Sequence, residues 1–444
     1  MSGQPASGKR FAVSNIVMLG LASFFTDLGV EMVYPILPLY LASALGATPA
    51  IVGVIEGIAE SLASVLKLFS GVIADRYNNK KQLVFFGYSA SFLNKAIILL
   101  STSWPGILLA RIADRFGKGV RTAPRDALIA ESAENGKLGK AYGLHKAFDM
   151  MGSSVGILLA FVLLDSSAAN GFRDIFVVSM IPALIGTLCV LFVKGGKRET
   201  NAKKLNFRWK ALDARLKLFL AVVFLFTLGN SSNAFMLLRA ANAGFSSRDA
   251  ILLYFVFNVV ASVLSYPVGR LSDGMGRKYT LGAGYFLYGV VYLGIGLSDS
   301  AAAFWGLFAL YGVYAALAAG GERALIAELA PARLKGGALG LHSAIAGAGL
   351  LPASLMAGAL WDALGQSAPF LLGGVLALVA SVAVFIVLGG KRAAGCGFLP
   401  MSPRGADQQR GGALRPPGGA MAQDRLRRAA SWETLARRGR VWDR

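Results

Sequence analysis

Twelve apolar runs, each long enough to cross the hydrocarbon of a bilayer, recur along this chain of 444 residues, at about 13–42, 51–74, 83–102, 104–128, 141–164, 175–193, 216–238, 250–272, 279–298, 301–326, 337–361 and 368–390. Inside a bilayer no water satisfies backbone N–H and C=O groups, so a single run of about 20 residues can cross only as a helix. With 55% hydrophobic and 16% charged residues, the composition excludes an ordinary soluble domain. An all-α integral membrane protein with twelve transmembrane helices is expected.

The chain also contains itself twice. Residues 127–165 align without a gap onto 324–362 at an offset of 197, with 17 of 39 positions identical, and the only two histidines, His145 and His342, fall on each other. Gly71-x-x-x-Asp75 superposes on Gly269-x-x-x-Asp273 at an offset of 198, and each half closes on Gly-Gly-Lys-Arg. A repeat of this size must be recognised before fold is argued. Six spans return the chain to its starting side, so the copies are two parallel six-helix bundles related about an axis along the membrane normal.

Net charge is +21, which invites a nucleic-acid reading, but the distribution of the charge opposes it. Starting from Lys9 and Arg10, every second loop is basic: Arg76, Lys80 and Lys81, then Arg121 to Lys140, Lys194 to Lys217, Arg277 and Lys278, and Arg333 and Lys335. The alternate loops hold only Arg173, Arg239 and Arg248. This bias predicts that both termini are cytoplasmic. The expected organisation is a cytoplasmic segment over 1–12, a bundle over 13–193, a basic linker over 194–215, a second bundle over 216–390 and a basic, disordered cytoplasmic tail over 391–444. Cys189 and Cys396 give no disulfide framework, and no cleavable signal peptide is expected.

Gly71-Val-Ile-Ala-Asp75-Arg76-Tyr-Asn-Asn-Lys80 and Gly269-Arg-Leu-Ser-Asp273-Gly-Met-Gly-Arg277-Lys278 resemble the two signature loops of the major facilitator superfamily, and stand after spans 2 and 8 as they do there. Pro35-Ile-Leu-Pro38 in span 1 is similar to the Pro-x-x-Pro of twelve-span drug:proton antiporters of that superfamily. Arg111-Ile-Ala-Asp114-Arg115-Phe-Gly117-Lys-Gly119 resembles their span 4 motif, with Asp114 in place of Gln and Arg115 in place of the first Gly. Gly152-x-x-x-Gly156 stands in span 5 without the proline of the antiporter pattern; it reads as a close helix-packing motif. The stretch Gly117 to Glu131 looks like a bacterial subgroup known only as facilitator-type transporters. The resemblance implies the superfamily fold, with spans 1, 4, 7 and 10 around a central cavity, in a bacterial inner membrane. It also implies that Gly71, Asp75, Arg76 and Lys80, with Gly269, Asp273, Arg277 and Lys278, close the cytoplasmic gate. Asp75 would then lie near the start of span 11 and His342, and Asp273 near the start of span 5 and His145.

Ionisable groups inside a bilayer are costly and are functional candidates by default. Asp27 and Glu31 lie on one face of span 1. Glu56, Glu60 and Lys67 form a polar stripe on span 2, and span 4 adds Arg111 and Asp114. Asp27 and Glu31 are expected to carry protons, with Arg111 as the cation that exchanges with the proton; such sets also serve as static interhelical ion pairs. In the second half Phe308, Tyr311 and Gly312 stand at the counterparts of Arg111, Asp114 and Arg115. The second half is therefore expected to shape the substrate cavity with neutral groups, Asn230, Ser232, Asn233, Tyr311 and Tyr314. The repeated histidines are read as gate structure.

No enzyme is expected: no Walker loop, nucleophile triad or metal-ligating cluster is present, and no cofactor follows. The expected function is proton-coupled export of a small drug-like molecule or metabolite by alternating access. Uptake of a metabolite and a non-transporting sensor on the same fold are the alternatives. The expected partners are a small-molecule substrate, protons and the lipid bilayer, with no nucleic acid, and the chain is expected to be a monomer.

Overall fold

The computed structural model describes residues 6–76, 80–133, 138–164, 171–194, 212–318, 321–330 and 335–389. Fifteen α-helices and no strand occur among these described residues. In the first half, α1 (Ala6–Val33) and α2 (Leu37–Ser43) together make the first span. They are followed by α3 (Pro49–Arg76), α4 (Lys80–Leu100), α5 (Trp104–Ser132), α6 (Leu138–Leu163) and α7 (Gly171–Leu191). In the second half, α8 (Ala214–Gly229) and α9 (Asn233–Asn242) make span 7, followed by α10 (Ser247–Met275) and α11 (Arg277–Leu297). Then come α12 (Ala301–Ala318), α13 (Gly321–Leu329), α14 (Lys335–Leu364) and α15 (Ala368–Gly389). The central linker from 195 to 211 and the tail from 390 lie outside the described residues. The first helix starts at Ala6, ahead of the apolar run.

The two interrupted spans are counterparts. Pro35 lacks an N–H, so α1 ends at Val33 and α2 restarts with a proline in its first turn. In span 7 the chain leaves α8 at Asn230, and Ser232 caps α9 by accepting a hydrogen bond from the Ala234 N–H at 3.3 Å. At the repeat offset, Asn230 to Ser232 fall on residues 33 to 35.

Eleven of the twelve expected spans are long and apolar enough to cross a membrane among the described residues. The twelfth, α5, carries too many charges to qualify on composition. Those charges point inward: Arg111, Asp114, Arg115 and Arg121 are all buried, against the neighbouring helices α3 and α4. Lipid faces the outside of the bundle, where Phe86, Leu100, Phe192, Tyr266 and Ile386 stand exposed.

Both halves pack by one scheme. α1 lies on α6 and α7 as α8 lies on α14 and α15, and α3 lies on α5 as α10 lies on α12. Gly152 and Gly156 let α6 lie directly on the backbone of α1, where an added Cβ would meet the carbonyl oxygens of Phe24 and Leu28. The halves meet along two counterpart seams, α3 on α14 and α6 on α10. At the end away from the linker, Asp362 accepts from the Ala50 N–H at 3.3 Å, and Arg248 donates to the Phe161 carbonyl at 3.2 Å while its guanidinium covers the Phe161 ring. Near the middle, Gly347 of α14 sits on Ser64 of α3.

Candidate functional site

The charges of spans 2 and 4 form one buried network. Arg111, which the sequence places opposite Asp27 and Glu31, pairs instead with Glu56: its Nη2 lies 2.7 Å from Oε1 and 2.8 Å from Oε2, and both side chains are 3% exposed. One helical turn on, Arg115 Nη2 lies 2.7 Å from Glu60 Oε1. Glu56 also accepts from Ser232 Oγ of the second half at 3.1 Å. One carboxylate is thus held from both halves at the point where span 7 breaks. The Arg111 guanidinium also stands 5.4 Å from the centre of the Tyr34 ring.

Deeper in the first half, Asp114 accepts from Ser91 Oγ at 3.0 Å, and Ser91 Oγ in turn accepts from Arg121 at 2.9 Å. Lys95, 1% exposed, donates to the Ser91 carbonyl at 3.1 Å. The Arg121 guanidinium lies over the Tyr88 ring at 4.3 Å. Asp27 and Glu31 lie within electrostatic reach of this basic side of α5: Lys118, Arg121 and Arg125 act on Asp27, with Asp149 opposing them, and Lys118, Arg115 and Arg111 act on Glu31, with Asp27 opposing them. Glu31 Oε2 is buried with no hydrogen-bond partner.

In the second half a cavity of about 450 Å³ runs from the middle of the bundle towards the linker end. Asn230, Asn233, Tyr311 and Tyr314, all expected there, line it together with Phe257, Glu322, Arg323 and His342. Ser232 faces Glu56 instead. Tyr311 OH donates to Asn233 Oδ1 at 2.8 Å, and its ring stands 4.8 Å from that of Phe257 and 5.2 Å from that of Tyr314.

Here the expectation of a wholly neutral second half fails. Glu322 accepts from Tyr285 OH at 2.7 Å and lies 2.7 Å from His342 Nε2. The reason is visible in the repeat: Tyr88, Arg125 and His145 of the first half are the counterparts of Tyr285, Glu322 and His342. The ring residues recur in sequence with Arg125 at the position of Glu322, but Tyr88 lies over Arg121 and His145 faces Asp149, so the contact of tyrosine, carboxylate and histidine belongs to the second half. Charge missing at the counterparts of Arg111 and Arg115 reappears about three turns along the span.

The gate residues are placed unevenly. The side chains of Lys67, Gly71, Asp75, Arg76 and Asp273 lie outside the described residues. Lys80 pairs with Glu131, and Arg277 reaches Glu328 at 3.7 Å and the Ala324 carbonyl at 3.3 Å. At the offset of 197 these ion pairs are counterparts, each tying the start of span 3 or 9 to the following span of its own half. Lys278 lies over the ring of Tyr279 at 4.7 Å, and Gly269 is open to its surroundings. His145 is buried with Nδ1 3.6 Å from Asp149 Oδ1. His342, read from sequence as gate structure, lines the cavity.

The family model of the Major Facilitator Superfamily matches residues 19–238 and again 218–442. The chain belongs to the major facilitator superfamily. Its relatives include an uncharacterized MFS-type transporter, MJ1317 of Methanocaldococcus jannaschii, 35% identical over 381 residues that cover 84% of this chain and 94% of that one. The multidrug resistance protein MdtH of Photorhabdus laumondii is 25% identical over 326 residues, 70% of this chain and 78% of that one. Among solved structures, the nucleoside transporter NupG superposes with a TM-score of 0.72 at 11% identity, over 84% of this chain and 99% of that one, which shows the fold alone. The superfamily fold of twelve spans in two six-helix repeats is that of a multi-pass membrane transporter, not an enzyme.

Proposed function

We propose that the chain exports a small amphipathic molecule from the cytoplasm of a bacterial cell in exchange for protons, by rocking the two halves about a midplane site. The observation that carries this reading is Glu56, buried and bonded at once from the first half by Arg111 and from the second by Ser232. A carboxylate held by both halves senses their separation, and a proton can take the place of Arg111 on it. Buried intramembrane carboxylates mark such relays. Glu31, buried beside the basic face of α5 with one oxygen unbonded, is the second carboxylate of the relay and Asp27 the third. With basic loops inside, the linker end is cytoplasmic, and the cavity opens towards it from contacts made at the far end, the arrangement of an inward-facing transporter. The span 1 and span 4 motifs and the multidrug relative favour export.

Purified protein in proteoliposomes with an imposed proton gradient, assayed for flux against a panel of toxic compounds and metabolites, tests the reading. Glu56→Gln, Glu31→Gln and Asp27→Asn should each abolish accumulation against a gradient, while counterflow, which needs no net proton movement, persists. Gradient-driven accumulation at the wild-type rate in all three variants would remove proton coupling from this network.

A further inference from the structure

We propose that Glu322 is the anionic anchor of a substrate site for aromatic organic cations, and that His342 is the internal partner the substrate displaces. This deepens the transport reading above and rests on it for the claim that the bound molecule is cargo.

The site is built from three observations. First, the cavity volume of about 450 Å³ lies within the range of roughly 300 to 1,000 Å³ that holds drug-sized ligands. Second, its wall is aromatic and neutral except at one end: Phe257, Tyr311 and Tyr314 present rings, and Asn233 is engaged by Tyr311. Aromatic faces attract a cation delocalised over a planar body. Third, Glu322 closes that end. Its two oxygens are each bonded once, by Tyr285 and by His342, and a carboxylate can accept about four bonds. Capacity remains for a ligand.

The groups around Glu322 decide the sign of that ligand. His342 faces it from α14 and Tyr285 from α11, with Arg323 next to it in the chain. Arg323 is exposed, so its charge is hydrated and contributes little to a ligand deeper in the cavity. Glu322 is half-buried and His342 only 8% exposed, with Nδ1 buried and without a hydrogen-bond partner. A ring bonded through one nitrogen and unmatched at the other is a replaceable partner. An organic cation offers Glu322 a permanent charge where the His342 ring offers a single contact through Nε2.

The duplication points the same way. At the repeat offset Tyr285, Glu322 and His342 fall on Tyr88, Arg125 and His145, but there Tyr88 bonds Ser23 and lies over Arg121, and His145 faces Asp149. The contact of Tyr285, Glu322 and His342 thus belongs to the second half alone and is not a repeated structural link.

The test is equilibrium binding to the purified full-length protein in detergent. The probes are ethidium, an aromatic cation, and fluorescein, an aromatic anion of similar size, each followed by fluorescence. Wild type should bind ethidium and discriminate against fluorescein. Glu322→Gln should weaken ethidium at least tenfold, Glu322→Asp should restore part of the loss, and His342→Gln should tighten ethidium about threefold or more by freeing the carboxylate. Size-exclusion profiles and melting temperatures check that each variant folds. Should Glu322→Gln fail to fold, the opposite shifts expected of Glu322→Asp and His342→Gln carry the test. Ethidium affinity unchanged in Glu322→Gln, weakened in His342→Gln, or undetectable in wild type would each overturn the proposal. Gradient-driven flux of any other compound would then still stand, so the failure of this site and that of the transport reading are told apart.

Discussion

At the scale of single residues, a buried ion pair is weak evidence for stability, because removing two charges from water can cost as much as their attraction returns. Breaking one from a single side is different. Arg111→Ala should leave Glu56 buried without its cation, at a cost of about 3–5 kcal/mol, whereas Arg111→Ala combined with Glu56→Gln should recover most of that loss. Detergent melting curves of the two variants check this, and equal melting temperatures would show that Glu56 finds another partner. Helical spacing made Glu56, Glu60 and Lys67 one stripe, and it also puts Arg111 and Arg115 on one face of α5. Their register against each other is set by how α5 rotates on α3, and no local pattern encodes that rotation. Glu322 could have been found from sequence, since aligning the repeat two residues upstream of Ala127 and Ala324 brings it onto Arg125.

At the scale of elements, small residues set how closely spans approach. Without a hydrophobic driving force between helices in lipid, close packing is a main source of association. Gly156→Val should drive a side chain into the Leu28 backbone and destabilise the first bundle by about 1–3 kcal/mol through overpacking. Gly306→Ala, where an added Cβ meets nothing within 4 Å, should be close to neutral. Thermal unfolding in detergent separates the two, and an unchanged Gly156→Val would show that α1 and α6 can part without cost. The Gly152-x-x-x-Gly156 spacing made this contact legible. The charged span α5 was legible only as part of a twelve-span count, because its composition by itself argues for a surface helix, and burial of its charges depends on partners from α3 and α4.

At the scale of the whole molecule, the halves meet along counterpart seams, and holding one seam shut should stop the cycle. In a background with Cys189 and Cys396 replaced, Ala50→Cys with Asp362→Cys should cross-link across the α3 to α14 contact seen at 3.3 Å, abolish flux, and regain it on reduction. Full flux in the cross-linked protein would mean that this end of the bundle does not open. Removing everything after Arg392 should leave folding and flux intact, since both repeats are complete by then; loss of detergent-stable protein would give the tail a structural role.

Apolar run length, loop charge and the internal repeat were enough to determine span number and the parallel relation of the halves, because each is a periodic property written in local composition, and the resemblance of the two signature loops pointed to the superfamily. Which acid meets which base was decided only by the tertiary structure. Arg111 could pair with Glu31 or Glu56 from any reading of the chain, and helix rotation within the bundle gave it to Glu56. The same holds for His342, whose place in a duplicated segment suggested a shared gate role. The packing of α11, α13 and α14 set it on Glu322, at the wall of the cavity.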